Sequence, residues 1–305
     1  MLSQKEIQKI ASILAKKFPT VLSIIQFGSS VSGDFTKFSD TDIAVIIKDK
    51  KSEKKVRDFC FSCHSAFELQ IHLFSSDKFI NDLKKGMPLA LSILYTGRAI
   101  YGKERIQKLK RKNYLPNNFT KRACMLNSFA ALSLAVSDLT NGMLADSLNS
   151  AYHAARSSIW AVLMDRAITP QNKEALRLIA DKKIKLLYKR ILGFRAHPPD
   201  YGYDIALSQD IYKKGNINEY TQLLEDATYI VKKNYRKIFN RNFIGLFEVL
   251  EILNKRYKSP SHYSIYLLVD WEKEKLLYMV FLSVNSSRIF LNIDVNSGKV
   301  CKARG

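Results

Sequence analysis

The fold of this chain is decided by TVLSIIQFGSSVSGDFTKFSDTDIAVIIK, residues 20–48. The stretch begins and ends with apolar runs rich in β-branched residues, which predict two buried strands at 20–28 and 41–49. Gly28 and Ser29 predict a tight turn that joins the first strand to a short helical segment. A strand, a glycine turn and a second strand therefore form the predicted nucleus of the N-terminal region.

Two carboxylates lie at the start of the second strand. Because successive side chains of a strand point to opposite faces, Asp40 and Asp42 should project together while Thr41 points away. This spacing suits a hard divalent cation, so Mg²⁺ is expected there. The turn adds backbone N–H groups that can hold a triphosphate, and the missing Cβ of Gly28 allows close approach. The expected nucleotide-binding residues are Gly28, Ser29, Ser30 and Lys37.

A third strand is predicted at FELQIHLF, residues 67–74. Apolar and polar side chains alternate along it, so Glu68, Gln70 and His72 should share one polar face. The segment 50–67 has the length of a helix and an apolar side. With an amphipathic N-terminal helix, the predicted order is helix, strand, turn, strand, helix, strand.

Gly28, Ser29, Asp40 and Asp42, set between apolar strands, resemble the signature of the polymerase-β-like nucleotidyltransferase superfamily. The resemblance covers roughly residues 5–100 and implies a minimal nucleotidyltransferase domain. Such a domain would use ATP as substrate and two Mg²⁺ ions to transfer AMP to an acceptor hydroxyl, with both aspartates as metal ligands and catalytic residues.

The superfamily normally has a third carboxylate on the next strand, where it acts as general base and metal ligand. Glu68 is the acid available for this role. Gln70 is the competing occupant of that position, and activity would then be weakened or absent. His72 is an accessory candidate that orients substrate or acts as a base near neutral pH, with a structural hydrogen-bonding role as the alternative.

Helices dominate the middle of the chain. Two short helices are predicted after Ser76, and the basic segment 103–118 is interpreted as a connector that ends the first domain near residue 115. Long amphipathic patterns then predict a helical bundle. The predicted long helices are 118–140, 143–167, 171–192 and 217–241.

The C-terminal region changes pattern again. An apolar helix at 243–257 is followed by three β-rich runs with hairpin-like breaks, which predict a helix-plus-meander module. The expected fold class is α+β, with an N-terminal nucleotidyltransferase mixed sheet and flanking helices, a central helical bundle and this small module. The corresponding domains are 1–115, 116–242 and 243–305.

The helical part resembles a HEPN domain fused to a minimal nucleotidyltransferase, and is also similar to aminoglycoside adenylyltransferases. The HEPN resemblance lies in NSAYHAARSSIWAVL at 149–163, FRAHPPDYGYD at 194–204 and LLEDATYIVKK at 223–233. HEPN ribonucleases carry an Arg followed at short spacing by a His, which Arg190 and His197 match at the long limit. The competing interpretation makes both surface residues near a helix end.

A non-catalytic bundle would instead close over the nucleotide and shape the acceptor pocket. Tyr152, His153 and Arg156 share one helix and would line that pocket, unless they are core and boundary residues. A homodimer through the helical domain is a further expectation of this resemblance.

Charge and hydropathy restrict the location and partners. The chain has 49 Lys and Arg against 28 Asp and Glu, a formal net charge of +21. This creates a positive field that attracts polyanions, although a lysine-rich solvated surface is the simpler interpretation. No run approaches the roughly 20 apolar residues of a membrane-spanning helix, so no membrane insertion and a cytoplasmic location are expected.

The cysteines indicate no cofactor. Cys60, Cys63 and His64 have the spacing of a c-type haem attachment site and of half a zinc site. Neither Cys124 nor Cys301 supplies the second ligand pair at a usual spacing, and haem attachment needs export. Buried thiols are expected instead.

Three functions remain open at this stage. The first is a nucleotidyltransferase that takes a nucleoside triphosphate and modifies a small molecule, a protein or RNA. The second is a HEPN-type ribonuclease of the toxin–antitoxin or defence class. The third is a nucleotide- or RNA-binding protein with a decayed site, suggested by Gln70 and the net charge.

Overall fold

The computed structural model describes residues 3–32, 41–64, 69–140, 142–164, 172–196, 217–257, 262–270, 275–284 and 287–302. The chain forms two compact units. One consists of Met1–Thr120 with Leu163–Glu174, and the other of Lys121–Val162 with Ala175–Gly305. The expected α+β class is confirmed. The division into domains at 115/116 and 242/243 stays a prediction.

A four-stranded mixed sheet organises the first unit, with the strand order β3-β2-β1-β4. Strands β1 and β2 pair antiparallel, β2 and β3 pair parallel, and β4 pairs antiparallel with β1. The elements in chain order are α1 (Gln4–Lys17), β1 (Val21–Phe27), α2 (Ser29–Ser32), β2 (Thr41–Ile47), a 3₁₀ turn (Lys50–Ser52), α3 (Glu53–His64), β3 (Leu69–Ser75), α4 (Ser76–Lys85), α5 (Pro88–Thr96), β4 (Arg98–Tyr101) and α6 (Lys103–Lys110).

Helices cover both faces of this sheet. On one face, α1 and α3 pack against the strands, and Leu14 and Val56 are fully buried there. On the other face, α4, α5 and α6 bury the opposite side chains of the same strands. Both faces of β1 and β2 are therefore apolar, which explains why their sequences are continuous apolar runs and not alternating ones.

Two elements of this unit were missed by sequence reasoning. The segment read as a basic connector contains the helix α6, which buries Ile106 and Leu109. The strand β4 has four residues with no buried side chain, so periodicity could not reveal it. The segment forms a strand only because it pairs with β1.

A bundle of helices follows, as predicted. The largest difference is that the predicted helix 171–192 is two helices separated at 179–181. Asp181 accepts a hydrogen bond from the backbone N–H of Ile184 at 3.0 Å and so begins the second helix. The helices are α7 (Asn118–Thr140), α8 (Leu144–Leu163), α9 (Asn172–Leu178), α10 (Lys182–Ala196) and α11 (Ile217–Phe239).

The chain continues with a helix, α12 (Leu246–Arg256), and an antiparallel meander in the order β5-β6-β7-β8. The three predicted β-rich runs form β5 to β7, and a short fourth strand was not predicted. The strands are β5 (His262–Asp270), β6 (Lys275–Val284), β7 (Ser287–Asp294) and β8 (Val300–Lys302). Within the described residues, no helix is both long and apolar enough to cross a membrane.

Candidate active site

The predicted site residues meet where β1 ends and β2 and β3 begin. Phe27, the last residue of β1, pairs with Asp42 near the start of β2. Asp42 in turn pairs with Gln70 near the start of β3. Residues that pair in adjacent strands point to the same face of a sheet, so the Asp42 and Gln70 side chains leave the sheet side by side. Gln70 is exposed at this position.

Gly28 and Asp42 are in direct contact. A β-carbon at position 28 would collide with Oδ2 of Asp42, and Gly28 has a φ of +74°. Glycine is therefore favoured, both because the backbone is left-handed and because any side chain here would have to displace the carboxylate. The sequence prediction placed the turn and the aspartate at one end of the sheet, and this contact brings them together more closely than the pattern alone could indicate.

His72 lies beside the same carboxylate. Its Nε2 is 3.7 Å from Oδ1 of Asp42, and their side chains are 27% and 21% exposed. The imidazole also contacts the Phe27 ring edge to face, with 5.3 Å between ring centroids. The separation of 3.7 Å is longer than a hydrogen bond, so His72 is an electrostatic neighbour of Asp42 held in place by an aromatic ring.

A buried amide supports the turn. Gln26 is 4% exposed, and its Nε2 donates to Oγ of Ser30 at 3.2 Å. The Ser30 hydroxyl donates to the carbonyl of Phe27, also at 3.2 Å. Ser29 begins α2 directly after the turn. Sequence reasoning overlooked Gln26, although a lone amide inside an apolar strand was the available signal.

Thr41 points away from the site, as the alternation of strand side chains predicted. It is fully buried on the opposite face, and the structure gives its hydroxyl no hydrogen-bond partner among the described residues.

Four candidates lie outside the described residues: Asp40, Lys37, Glu68 and His197. Within the described part of the chain, no group of three His, Cys, Asp or Glu side chains has the arrangement of a metal site. Asp42 and Gln70 both carry side-chain oxygens and lie on one face, and a hard cation prefers oxygen ligands, so the two residues would supply part of a Mg²⁺ site.

Arg190 is engaged in the bundle. Its guanidinium makes a bidentate ion pair with the carboxylate of Asp226 on α11, and Asp226 is only 3% exposed. The structure therefore supports a packing role for Arg190. Among the described residues, Arg190 makes no contact with another candidate catalytic residue.

Tyr152, His153 and Arg156 form a contiguous cluster on α8. Nη2 of Arg156 donates to Nδ1 of His153 at 3.0 Å, and Nη1 donates to the Tyr152 hydroxyl at 3.2 Å. Burial, followed by the charges of Arg156 and Arg195, lowers the pKa of His153 well below its ordinary value. Because arginine only donates, Nδ1 of His153 accepts and the neutral ring carries its proton on Nε2.

Among the cysteines whose side chains the structure describes, two are buried as expected and one is exposed. Cys60 and Cys124 are buried, and burial raises the pKa of the Cys124 thiol to about 12. Cys301, in contrast, is exposed on β8.

Comparison with known proteins supports the N-terminal assignment. Residues 8–106 match the polymerase beta nucleotidyltransferase family. A crystal structure of a toxin–antitoxin with AMP-PNP contains a chain that is 19% identical in sequence to this one. The match covers 34% of this chain and 82% of the other, with a TM-score of 0.26. The crystal structure of a nucleotidyltransferase-like protein from Exiguobacterium sibiricum 255-15 is a second match, with 14% sequence identity. This match covers 87% of this chain and 95% of the other, with a TM-score of 0.28.

With TM-scores this low, neither structure bears on the function of this chain. No curated protein matches the sequence. The family match and the geometry around Gly28 and Asp42 agree with each other. A nucleotidyltransferase domain of the polymerase β type therefore occupies residues 8–106.

Proposed function

We propose that this domain transfers a nucleoside monophosphate, AMP from ATP, to an acceptor hydroxyl. The observation that carries the proposal is the contact between the Asp42 carboxylate and Gly28 at the end of β1. This contact puts an acidic side chain beside a turn whose backbone has no Cβ. A triphosphate and its metal ion would need these two features next to each other.

The residues have separate tasks in this proposal. Gly28, Ser29 and Ser30 form the turn that receives the phosphates, with Lys37 as a further contact. Asp42 and Asp40 would hold Mg²⁺, two ions in the full site. When bound, the metal would neutralise charge on the triphosphate.

Deprotonation of the acceptor hydroxyl falls to Glu68 in this scheme. Gln70 cannot accept a proton in the same way, because an amide is not basic near neutral pH. His72 is fixed between Phe27 and Asp42, and we assign it to orienting the substrate or the carboxylate. The acceptor would be a small molecule, a protein or RNA.

The experiment is a measurement of Mg²⁺-dependent pyrophosphate release with each of the four nucleoside triphosphates. We expect release with ATP, and a fall to background for Asp42→Asn and Asp40→Asn. Asp58→Asn, which changes an exposed acid on α3, is the matched control and should keep full activity. Equal turnover in Asp42→Asn and the wild type would refute the proposal.

Two further variants identify the third acid. If Glu68 is the base, Glu68→Gln abolishes release while Gln70→Glu has little effect. If Gln70 stands in the place of the acid, Gln70→Glu raises activity above that of the wild type. Nucleotide binding measured by calorimetry then separates a decayed site, which binds without turnover, from a working one.

In this proposal, the helical region is a HEPN-like domain fused to the nucleotidyltransferase domain. A ribonuclease function is less well supported, since Arg190 is committed to the Asp226 carboxylate. RNA that stays intact with the wild-type protein would remove that alternative.

A further inference from the structure

The charge of the helical region is concentrated on two neighbouring helices. The sequence of α10, KKIKLLYKRILGFRA, contains six basic residues and no acidic one. The second half of α11 continues this pattern, because no acidic residue follows Asp226 in that helix. These two stretches are more basic than the chain as a whole, so they are candidates for a specific electrostatic role.

The two helices run antiparallel. Lys183 near the start of α10 contacts the ring of Tyr229, Arg190 pairs with Asp226, and Phe194 packs on Tyr220. Contacts thus move backwards along α11 as they move forwards along α10. The basic start of α10 consequently lies beside the basic second half of α11.

Tyr229 shows how close the two sets of charges are. The Nζ atoms of Lys183 and Lys233 lie 4.2 Å and 5.7 Å from the centroid of its ring, one from each helix. The face of an aromatic ring attracts a nearby cation. We define the α10/α11 basic surface by five exposed basic residues of the two helices: Lys182, Lys183, Lys189, Lys233 and Arg236.

These five side chains take no part in the ion pairs that the structure records between described residues. The nearby Lys232 differs, since it pairs with Glu248 and is therefore left out of the surface. Lys182 and Lys189 are two helical turns apart, about 10 Å along the axis. The surface is an extended row of charges and not a single pocket.

We propose that the α10/α11 basic surface binds the phosphate backbone of a nucleic acid. A row of exposed cations on a rigid helix pair complements a regular polyanion, and contacts of this type are independent of base sequence. An anionic membrane fits less well, because membrane-surface helices present an apolar face. Leu186 is the only large apolar side chain exposed within the described parts of α10 and α11. The proposal is independent of nucleotidyl transfer.

The test uses the full chain and a fluorescent RNA, both as a duplex and as a single strand, with anisotropy read over a series of salt concentrations. The variant of the α10/α11 basic surface, called the patch variant, is Lys182→Gln/Lys183→Gln/Lys233→Gln. The control is Lys54→Gln/Lys55→Gln/Lys84→Gln, which removes the same charge from exposed lysines of the first unit. Thermal melting checks that both variants fold.

We expect the patch variant to bind at least tenfold more weakly at low salt, and the control to bind like the wild type. The slope of log K against log salt should become shallower by about 2 to 3 in the patch variant, one unit or slightly less for each lost phosphate contact. Equal weakening of both variants would overturn the proposal, because net charge alone would then explain binding. Binding to phosphatidylserine vesicles but not to RNA would also overturn it.

Discussion

Gly28 is the residue on which the candidate site depends most directly. Gly28→Ala places a methyl group against the Asp42 carboxylate in a left-handed backbone, so both strain and collision oppose it. Gly142→Ala is the matched control, because Gly142 has a similar φ of +76° but no described heavy atom within 4 Å of the added carbon. We expect about 1 kcal/mol of destabilisation for the control.

Gly28→Ala should cost roughly 1–3 kcal/mol more than this control, the usual penalty of overpacking. It should also weaken nucleotide binding, since the methyl group displaces the carboxylate. Urea denaturation and calorimetry measure the two effects. Equal losses in Gly28→Ala and Gly142→Ala would show that Asp42 moves aside freely.

Thr41 carries a buried hydroxyl without a partner among the described residues. Thr41→Val replaces it with a methyl group of the same shape and should be neutral or stabilise the fold by about 1 kcal/mol. Thr120→Val is the opposite case, because the Thr120 hydroxyl accepts a hydrogen bond from the N–H of Asn117 at 2.9 Å. That change should cost about 1–3 kcal/mol in a denaturant titration. A large loss in Thr41→Val would reveal a hidden partner.

The pair α10 and α11 depends on the ion pair between Arg190 and Asp226. Arg190→Ala leaves a carboxylate that is 3% exposed without its cation, and should destabilise the protein by about 3–5 kcal/mol. Arg190→Ala/Asp226→Leu removes both charges and should recover most of the loss. Chemical denaturation of the three proteins measures this. If Arg190→Ala melts like the wild type, the guanidinium is available for chemistry after all.

One face of α8 makes stability depend on pH. The pKa of His153 is lowered in the folded protein, whereas in the unfolded chain this histidine has its ordinary pKa of about 6.5. Below that pH, the unfolded chain therefore binds a proton at His153 more readily than the folded protein does. The free energy of unfolding should therefore fall as pH drops through that value, and be fully retained above it. His153→Asn should make the curve flatter between about pH 5 and pH 7. Parallel curves for the two proteins would contradict a His153 that stays neutral in the folded protein.

At the scale of the whole molecule, the helix-plus-meander module is attached to the bundle by its core. Phe243 packs on Phe129 with 4.7 Å between centroids, and the Tyr235 hydroxyl donates to Asn296 at 2.7 Å. The segments on the two sides of the predicted boundary at 242/243 therefore share buried contacts.

A chain that ends at residue 242 should consequently be unstable. Removal of Phe243 and the strands exposes Phe129 and Tyr235, and the loss should be at least the roughly 3–5 kcal/mol of a buried Phe→Ala change. Phe243→Ala in the full chain is the point-mutant comparison. Thermal melting and binding of a hydrophobic dye measure both. A truncated protein that melts at the temperature of the full chain would show that the bundle is stable without residues 243–305.

Sequence patterns alone determined the local elements that have a strong hydrophobic periodicity or clear turn residues at their ends. The runs around Ile25 and Val45 are continuously apolar and therefore predict buried strands. The Gly28-Ser29 pair between them predicts a tight turn. Asp42 and Thr41 follow with opposite orientations, because alternation is a property of any strand. The same local logic predicted the long helices and the meander.

Only the tertiary structure decided which of these segments touch. Strand β4 exists because it pairs with β1, and the contacts of Asp42 with Gly28 and His72 depend on the register of three strands. The pair of Arg190 with Asp226 likewise joins residues far apart in the chain. Periodicity reports the environment of one segment at a time, whereas register and ion pairing are set by the packing of distant segments on each other.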